Sequence, residues 1–232
     1  MTAEVWSREE FLARLREVGR QSYHHLHPFH IRMNAGKLDK DAIQLWVANR
    51  FYYQSNIPRK DAAILANCPL REVRRRWIGR VIDHDGKEGQ EGGIEQWLRL
   101  GIACGLTREA MTDEHLVRPG VRFAVDAYVN FARTQPWPIA VASSLTELFA
   151  PELMAQRLEA FQKHCPWVAS EGLDYFRARL TQARRDSEFA LRVTLEHCED
   201  RTMQEAAVFA LRFKCDVLWS MLDALMVIGQ EG

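Results

Sequence analysis

Three pairs of polar residues stand one helical turn apart in stretches that are otherwise apolar on the same side. The pairs are Arg50 with Gln54, Arg80 with His84, and Tyr175 with Arg179. At about 100° per residue, the step of a helix with about 3.6 residues per turn, each pair shares a face with apolar or small neighbours. Arginine binds carboxylates through paired hydrogen bonds and histidine titrates near neutral pH, so these residue types suit anion binding and proton transfer.

Two more polar residues interrupt apolar faces. Lys214 falls in the middle of the stripe that contains Leu211 and Leu218, and Tyr128 shares the face of Val125. A buried ammonium is costly unless it meets an anion, and its pKa falls without one. Two alternatives stay open: Lys214 could extend to solvent from a helix edge, and Tyr128 could bond a core carbonyl.

Structural roles compete with functional ones for the other polar residues. A buried Arg50 could hold an internal ion pair, and a lone histidine on an apolar face is more often a satisfied core residue than a catalyst. Arg80 beside His84 weakens that interpretation because two polar groups then share one concavity. If the helices converge, the arginines, Lys214 and the His and Tyr donors would line a positive cavity suited to a small, planar, multiply carboxylated ligand.

The elements that must position these residues are all helical by periodicity. Ser7 and Glu10 form a capping box, and Trp6 can pack on Phe11 as a hydrophobic staple. Further helices are predicted over residues 39–57, 70–85, 93–104, 107–113, 120–134, 140–149, 152–164, 172–198 and 202–228. Prolines, including Pro58, are expected at the joints. The sequence predicts one all-α domain over residues 1–232.

Composition narrows the class of protein. The 31 basic and 31 acidic side chains balance, so no overall field would attract nucleic acid or a lipid surface. The five cysteines are odd in number and form no C-x-x-C pair, which favours reduced thiols in the cytoplasm. The charged start lacks a signal sequence, and the most apolar stretch is too short to span a bilayer. We therefore expect a cytoplasmic protein with no membrane or nucleic-acid partner.

Two motifs with possible chemistry are set aside. YHHLHPFH holds four histidines, but the proline inside it interrupts the helical spacing that a metal site would need. The glycines after residue 85 follow a helix and are interspersed with acidic residues, which excludes a phosphate-binding loop. We expect no bound metal.

Several blocks of the chain strongly resemble the pyrroloquinoline-quinone synthase family. They are WVANRFYYQ, DHDG, GIEQWLRLG, PGVRFAVDAYVNFAR, SSLTELFAP and FKCDVLWSMLDA. The resemblance implies a compact haem-oxygenase-like helical bundle without haem, usually a homodimer. It implies ring closure and O2-dependent oxidation of a bicyclic tricarboxylate quinone precursor to pyrroloquinoline quinone. Hydrogen peroxide would be released, with no metal or organic cofactor.

The resemblance also implies the residues of the site. The implied pocket consists of Tyr23, His24, Arg50, Gln54, Arg80, His84, Tyr128, Arg157, Tyr175, Arg179 and Lys214. His84 would transfer protons, and Tyr175 and Arg179 would support the steps with oxygen and peroxide. His24 is counted with these catalytic residues, and the others with substrate binding.

One position departs from the family pattern. Met154 stands where the family carries a histidine, and a thioether can neither donate a hydrogen bond nor carry a proton. The alternative hypothesis is therefore a protein that binds the quinone or its precursor but turns it over poorly. A haem- or metal-dependent oxygenase of the same architecture is a third hypothesis, since a fold alone does not determine function.

Overall fold

A computed structural model describes residues 4–226, in which every regular element is a helix. The α-helices are α1 (Arg8–Ser22), α2 (Pro28–Asn34), α3 (Lys40–Asn67), α4 (Arg71–Asp85), α5 (Gly93–Ala103), α6 (Arg108–Thr112), α7 (Pro119–Thr134), α8 (Trp137–Ala142), α9 (Ala150–His164), α10 (Asp174–His197) and α11 (Arg201–Met226). Three 3₁₀ helices cover His24–Leu26, Ser143–Phe149 and Ser170–Leu173. The predicted all-α fold is confirmed.

The first helix begins as the sequence predicts. The side chain of Ser7 accepts the backbone N–H of Glu10, and the Glu10 carboxylate accepts that of Ser7. The ring centroids of Trp6 and Phe11 lie 6.2 Å apart, which is the predicted staple. The main chain of Trp6 exchanges two hydrogen bonds with the Gln204 amide, at 2.8 and 3.0 Å. These bonds fasten the start of α1 to α11.

The long helix α3 lies at the centre of the bundle and packs against α4, α5 and α7. Helix α11 covers α7 and α1, and α10 packs on α9. Trp46, Trp77 and Trp97 are fully buried between these helices. The Trp97 indole donates to the carbonyl oxygen of Val47 at 2.9 Å, so the polar atom of this core side chain is satisfied. The large aromatic residues hold α3 and α5 at a fixed spacing.

Two predicted features of the helices are wrong. Helix α3 does not end near residue 57 but continues through Pro58 to Asn67, because Pro58, Lys60 and Asp61 are buried against neighbouring elements. Packing along a long helix therefore offsets the hydrogen bond that a proline removes. The predicted helix 140–149 is instead the end of α8 followed by a 3₁₀ helix, and the Ser143 hydroxyl bonds the Ala140 carbonyl oxygen at 2.6 Å.

The last helix begins earlier than predicted. The Asp200 carboxylate, and not Thr202, accepts a backbone N–H of the first turn, from Met203 at 2.8 Å. Glu205 bonds Arg201 instead of closing a capping box. The predicted end of this helix at residue 228 lies outside the described residues, as do the outer limits of the predicted domain.

The cysteines and the membrane prediction can also be compared with the structure. All five cysteines are buried and free of disulfide bonds, as their spacing predicts. Among residues 4–226, no helix combines the length and the apolar character that crossing a bilayer requires.

Candidate active site

A small internal cavity collects most of the chemically interesting residues. It measures about 50 Å³ and lies among α3, α4, α9, α10 and the 3₁₀ helix Ser143–Phe149. Six predicted site residues line it, namely Tyr23, His24, Arg50, His84, Tyr175 and Arg179. Met154 lines it as well. The helices therefore bring these polar residues together, as their positions on apolar helix faces predicted.

Four other predicted residues lie directly behind this lining. The ammonium of Lys214 contacts the ring of the lining residue Tyr53, whose centroid lies 4.1 Å away. Tyr128 stacks on the same ring, with centroids 6.5 Å apart. Arg80 bonds the lining residue Glu147. Arg157 bonds His30, which in turn bonds the carbonyl oxygen of the lining residue His24. Gln54 is buried one turn beyond Arg50, and its Oε1 has no partner.

The cavity is less positive than the sequence predicts, because three carboxylates accompany the arginines. Glu147 accepts two hydrogen bonds from the Arg80 guanidinium, at 2.6 and 2.8 Å, and one from Arg179 at 3.2 Å. Asp61 accepts from Nε of Arg80 at 3.2 Å, and an Asp186 oxygen lies 3.5 Å from Nη1 of Arg80. Arg80 and Arg179 therefore both pair with carboxylates of the protein. Structural ion pairs occupy them.

Glu147 is ionised inside the protein. Burial disfavours its charge, but the positive charges of Arg80 and Arg179 outweigh burial and lower the Glu147 pKa to about 2. Asp61 is fully buried, and Lys60 bonds the same Oδ1 at 2.5 Å. The result is a chain of alternating charges along one wall of the cavity.

Three cations near the cavity, unlike Arg80 and Arg179, are not paired with a carboxylate of the described residues. Within residues 4–226, no carboxylate forms an ion pair with Arg50, Arg157 or Lys214. The Lys214 ammonium lies 4.1 Å from the centroid of the Tyr53 ring and 3.5 Å from that of Tyr128. Extension of Lys214 to solvent is therefore the wrong alternative.

Burial lowers the pKa values of two of these cations. Burial, followed by the nearby charges of Arg50 and Lys60, holds the pKa of Lys214 well below its usual value. Burial and the charge of Arg50 lower the pKa of Arg157 to about 9. Both groups would gain from an anion placed beside them, because it would favour their charged forms.

His84 is a neutral, buried histidine at the cavity wall. Only 2% of it is exposed, and its Nδ1 has no hydrogen-bond partner among residues 4–226. Burial, followed by the charge of Arg179, lowers the His84 pKa to about 3. A Cβ on Gly93 would lie 3.3 Å from both Nδ1 of His84 and the Tyr175 ring, so these two side chains flank one point. Gly86, with φ of 85°, follows the last residue of α4, which is Asp85, the predicted end of this helix.

The histidines of YHHLHPFH do not share a metal site. His27 caps α2 by accepting the Phe29 N–H at 3.0 Å, and its Nε2 lies 3.0 Å from Asp223. His30 bonds the carbonyl oxygen of His24 at 2.9 Å. In the described part of the chain, no group of three or more His, Cys, Asp or Glu side chains is arranged to hold a metal ion. The absence of a metal in the working protein stays a prediction.

Sequence reasoning missed several residues of the site. Tyr53, Thr146 and Glu147 line the cavity, and Asp61 and Asp186 complete the ion pairs. Tyr53 follows Arg50 by three positions, so the α3 face that carries Arg50 contained a signal. Glu147 lies in a 3₁₀ helix, where a wheel drawn at the α-helical step assigns faces incorrectly.

The fold is shared with solved structures of low sequence identity. A TenA homolog from Pseudomonas syringae pv. tomato DC3000 superposes with a TM-score of 0.77 at 13% identity, covering 97% of this chain and 99% of that chain. A domain of unknown function with a heme oxygenase-like fold, from Shewanella denitrificans OS217, gives 0.74 at 13% identity, with 94% and 89% covered. The predicted haem-oxygenase-like class is therefore confirmed.

Relatives of higher sequence identity show which family of this fold the chain belongs to. Residues 12–224 match the TENA/THI-4/PQQC family, and the chain belongs to it. A pyrroloquinoline-quinone synthase from Pseudomonas aeruginosa LESB58 is 59% identical over 225 residues, covering 97% of this chain and 90% of the relative. One from Cronobacter sakazakii is 57% identical over 217 residues, with 94% and 86% covered. The resemblance to pyrroloquinoline-quinone synthases is confirmed.

Proposed function

We propose that this chain is a pyrroloquinoline-quinone synthase. It closes a ring in a bicyclic tricarboxylate quinone precursor and oxidises it with O2, releasing hydrogen peroxide without a metal or organic cofactor. The observation that carries the proposal is a set of three cations beside a cavity, Arg50, Arg157 and Lys214, which form no ion pair with a carboxylate of residues 4–226. Three carboxylates on one small ligand match three such cations, and the relatives described above carry this name.

The cations bind the substrate, and burial makes them effective. A charge in a poorly solvated site interacts more strongly with an opposite charge than it does in water. Arg50 and Arg157 provide guanidinium groups for paired contacts with carboxylates, and Lys214 provides a point charge. Binding the anion would favour the protonated form of Lys214, whose pKa is lowered in the free protein.

His84 transfers protons, and Tyr175 and Arg179 lie beside it. A neutral imidazole with an unpartnered Nδ1 can accept a proton from the substrate as its ring system forms. Electron-rich intermediates of this kind reduce O2 directly, passing a pair of electrons and a pair of protons to form peroxide. Arg179 stabilises negative charge that develops on oxygen, and Tyr175 can donate a hydrogen bond to it. His24 lies across the cavity as a second neutral imidazole.

Substrate binding requires the cavity to enlarge. Ligand pockets usually measure about 300–1,000 Å³, whereas this one measures about 50 Å³. Glu147 bonds both Arg80 and Arg179 from a 3₁₀ helix, whose hydrogen bonds are weaker than those of an α-helix. We infer that Arg179 exchanges Glu147 for the substrate as this segment moves.

The proposal is tested by turnover. Purified protein mixed with the precursor and O2 should consume oxygen, release peroxide and develop the absorbance of pyrroloquinoline quinone. The reaction should persist after chelator treatment, and the protein should carry no stoichiometric metal or haem in elemental analysis and its visible spectrum. No oxygen uptake with precursor present would contradict the oxidase. Activity that requires a bound metal or haem would favour the third hypothesis.

Met154 supports one alternative function. It lines the cavity and is 6% exposed, so a side chain without a transferable proton faces the reacting groups. A protein that binds the ligand but turns it over poorly would stall at a partly oxidised intermediate with its own spectrum. Met154→His should then restore turnover, while Met154→Leu, of similar size and also without a proton, should not. Equal rates in the unchanged protein and in Met154→His would argue against this alternative.

The homodimer comes from the resemblance and the cytoplasmic location from the cysteine usage, and both stay predictions. Light scattering of the purified protein would determine the first.

A further inference from the structure

A histidine behind the cavity holds one of the unpaired arginines. Nη2 of Arg157 lies 2.7 Å from Nε2 of His30. Both residues are 1% exposed, so solvent cannot replace this contact. The pair joins α9 to α2.

The tautomer of His30 follows from its second contact. Its Nδ1 lies 2.9 Å from the carbonyl oxygen of His24, and a carbonyl can only accept, so Nδ1 carries the proton. Nε2 then presents a lone pair, which is what a guanidinium needs because it can only donate. Burial, followed by the charge of Arg157, keeps the His30 pKa well below its usual value, which is consistent with a neutral ring.

The guanidinium that His30 holds lies close behind the residues that line the cavity. Its Cζ lies 5.1 Å from the centroid of the Trp46 ring, and its Nε has no partner. The charges that act on Arg157 come from Arg50, Tyr23 and Tyr175, all of which line the cavity. Arg157 therefore retains an Nε donor without a partner among residues 4–226, near side chains that line the cavity.

We propose that His30 is a positioning residue that orients Arg157 to receive one carboxylate of the substrate. This inference rests on the proposed function, because it takes Arg157 to be a carboxylate-binding residue. A neutral acceptor suits the task better than an acid does. A carboxylate would fix the guanidinium but also neutralise it, as Glu147 does for Arg80, whereas an imidazole fixes the geometry and leaves the positive charge for the ligand.

Two polar substitutions separate the roles of the ring nitrogens. Asparagine can keep the hydrogen bond to the His24 carbonyl oxygen but cannot reach Arg157. Glutamine can place its side-chain oxygen where Nε2 lies and accept from Arg157. Pyrroloquinoline quinone is the probe, with its affinity measured by calorimetry. We expect His30→Asn to raise its Kd about tenfold to a hundredfold, the range for losing a hydrogen bond to a charged group. His30→Gln should stay within about threefold.

A double-mutant cycle excludes a merely structural role. If His30 acts through Arg157, His30→Asn should not weaken binding further once Arg157→Met is present. His197, half-buried in the last turn of α10, provides the matched control, and His197→Asn should bind like the unchanged protein. Unchanged affinity in His30→Asn would overturn the inference, and so would an equal loss in the Arg157→Met background.

The two proposals fail in different ways. If the unchanged protein does not bind pyrroloquinoline quinone, the proposed function fails. If it binds and His30→Asn binds equally well, the failure belongs to the role of His30 alone. Circular dichroism and a thermal melt of each variant establish that it is folded before its affinity is compared.

Discussion

At the scale of single residues, the ammonium of Lys214 is held against the faces of Tyr53 and Tyr128 with no carboxylate of residues 4–226 paired to it. Aromatic faces attract a cation, but they replace only part of the solvation that an ammonium loses on burial. The Nζ atom also lacks any hydrogen-bond partner. The folded protein therefore holds this group in an unfavourable environment that a bound anion would relieve.

Replacing Lys214 should raise the stability of the protein and weaken ligand binding. We expect Lys214→Met to raise the free energy of unfolding by about 1–3 kcal/mol, because it removes a buried unsatisfied polar group. The affinity for pyrroloquinoline quinone should fall at least about tenfold, since a charge-assisted contact is lost. Urea unfolding and calorimetry measure the two effects.

Lys163 on the exposed surface of α9 supplies the control for this substitution. Lys163→Met should change the unfolding free energy by less than about 0.5 kcal/mol and leave binding unchanged. Lower stability in Lys214→Met would show that the protein already satisfies the ammonium.

The sequence predicted correctly the burial of polar side chains that interrupt the apolar stripe of their own helix. Lys214 and His84 interrupt apolar stripes, so their burial can be derived from spacing alone. Glu147 and Asp61 could not be assigned to the site in this way, because their partners come from other helices. A single-helix wheel contains no information about which distant charge will be adjacent. The sequence therefore predicted the burial of Arg80, Arg179 and Lys214 correctly and missed the carboxylates that pair with the two arginines.

At the scale of elements, α1 and the 3₁₀ helix Ser143–Phe149 meet at Gly19. A Cβ on Gly19 would overlap the ring of Phe149. That ring lies 5.4 Å from the ring of Tyr23, which lines the cavity. The missing side chain at Gly19 is therefore what lets the 3₁₀ helix pack close to α1 and support Tyr23.

Filling this space should disturb both packing and binding. We expect Gly19→Ala to lower the unfolding free energy by about 1–3 kcal/mol through overpacking, and to weaken ligand binding because Tyr23 shifts with Phe149. Adding Phe149→Leu should recover part of both losses, since the smaller side chain makes room. A thermal melt and a binding titration of the single and double variants test this.

Gly79 in α4 is the matched control, because a Cβ there meets nothing within 4 Å. Gly79→Ala should stabilise the protein by about 0.5–1 kcal/mol through helix propensity and leave binding unchanged. If both alanine variants were stabilised, the close contact at Gly19 would not limit the packing.

Element prediction failed where tertiary packing overrides local signals. Pro58 is a strong local reason to end a helix, yet buried neighbours on both sides carry α3 through it. Conversely, residues 143–149 have helical periodicity but tighten into a 3₁₀ helix, where the Ser143 side chain bonds the main chain. Both segments carry cavity residues, so the errors in the elements led to errors in the site.

At the scale of the whole molecule, the buried site makes stability depend on pH. Burial is the first cause that lowers the pKa values of His24, His30 and His84, the last to about 3. Below about pH 6.5 the unfolded chain binds protons at these rings, and the folded chain does not until the pH falls further. Their contribution to stability is therefore complete above about pH 6.5 and is lost as the pH falls toward their folded values. Glu147, with its pKa lowered to about 2, adds a similar loss below about pH 4.5.

The direction of this pH dependence gives a quantitative prediction for unfolding in acid. The free energy of unfolding should decrease from about pH 6.5 downward, and each buried histidine should contribute up to about 1.4 kcal/mol per pH unit. His84→Asn should make that slope shallower by about the share of one histidine, whatever it does to stability at neutral pH. Urea unfolding at a series of pH values between about 7 and 4 measures the slopes. Equal slopes in the unchanged protein and in His84→Asn would mean that His84 takes up its proton in the folded state, and a histidine protonated there could not serve as the base at the cavity wall.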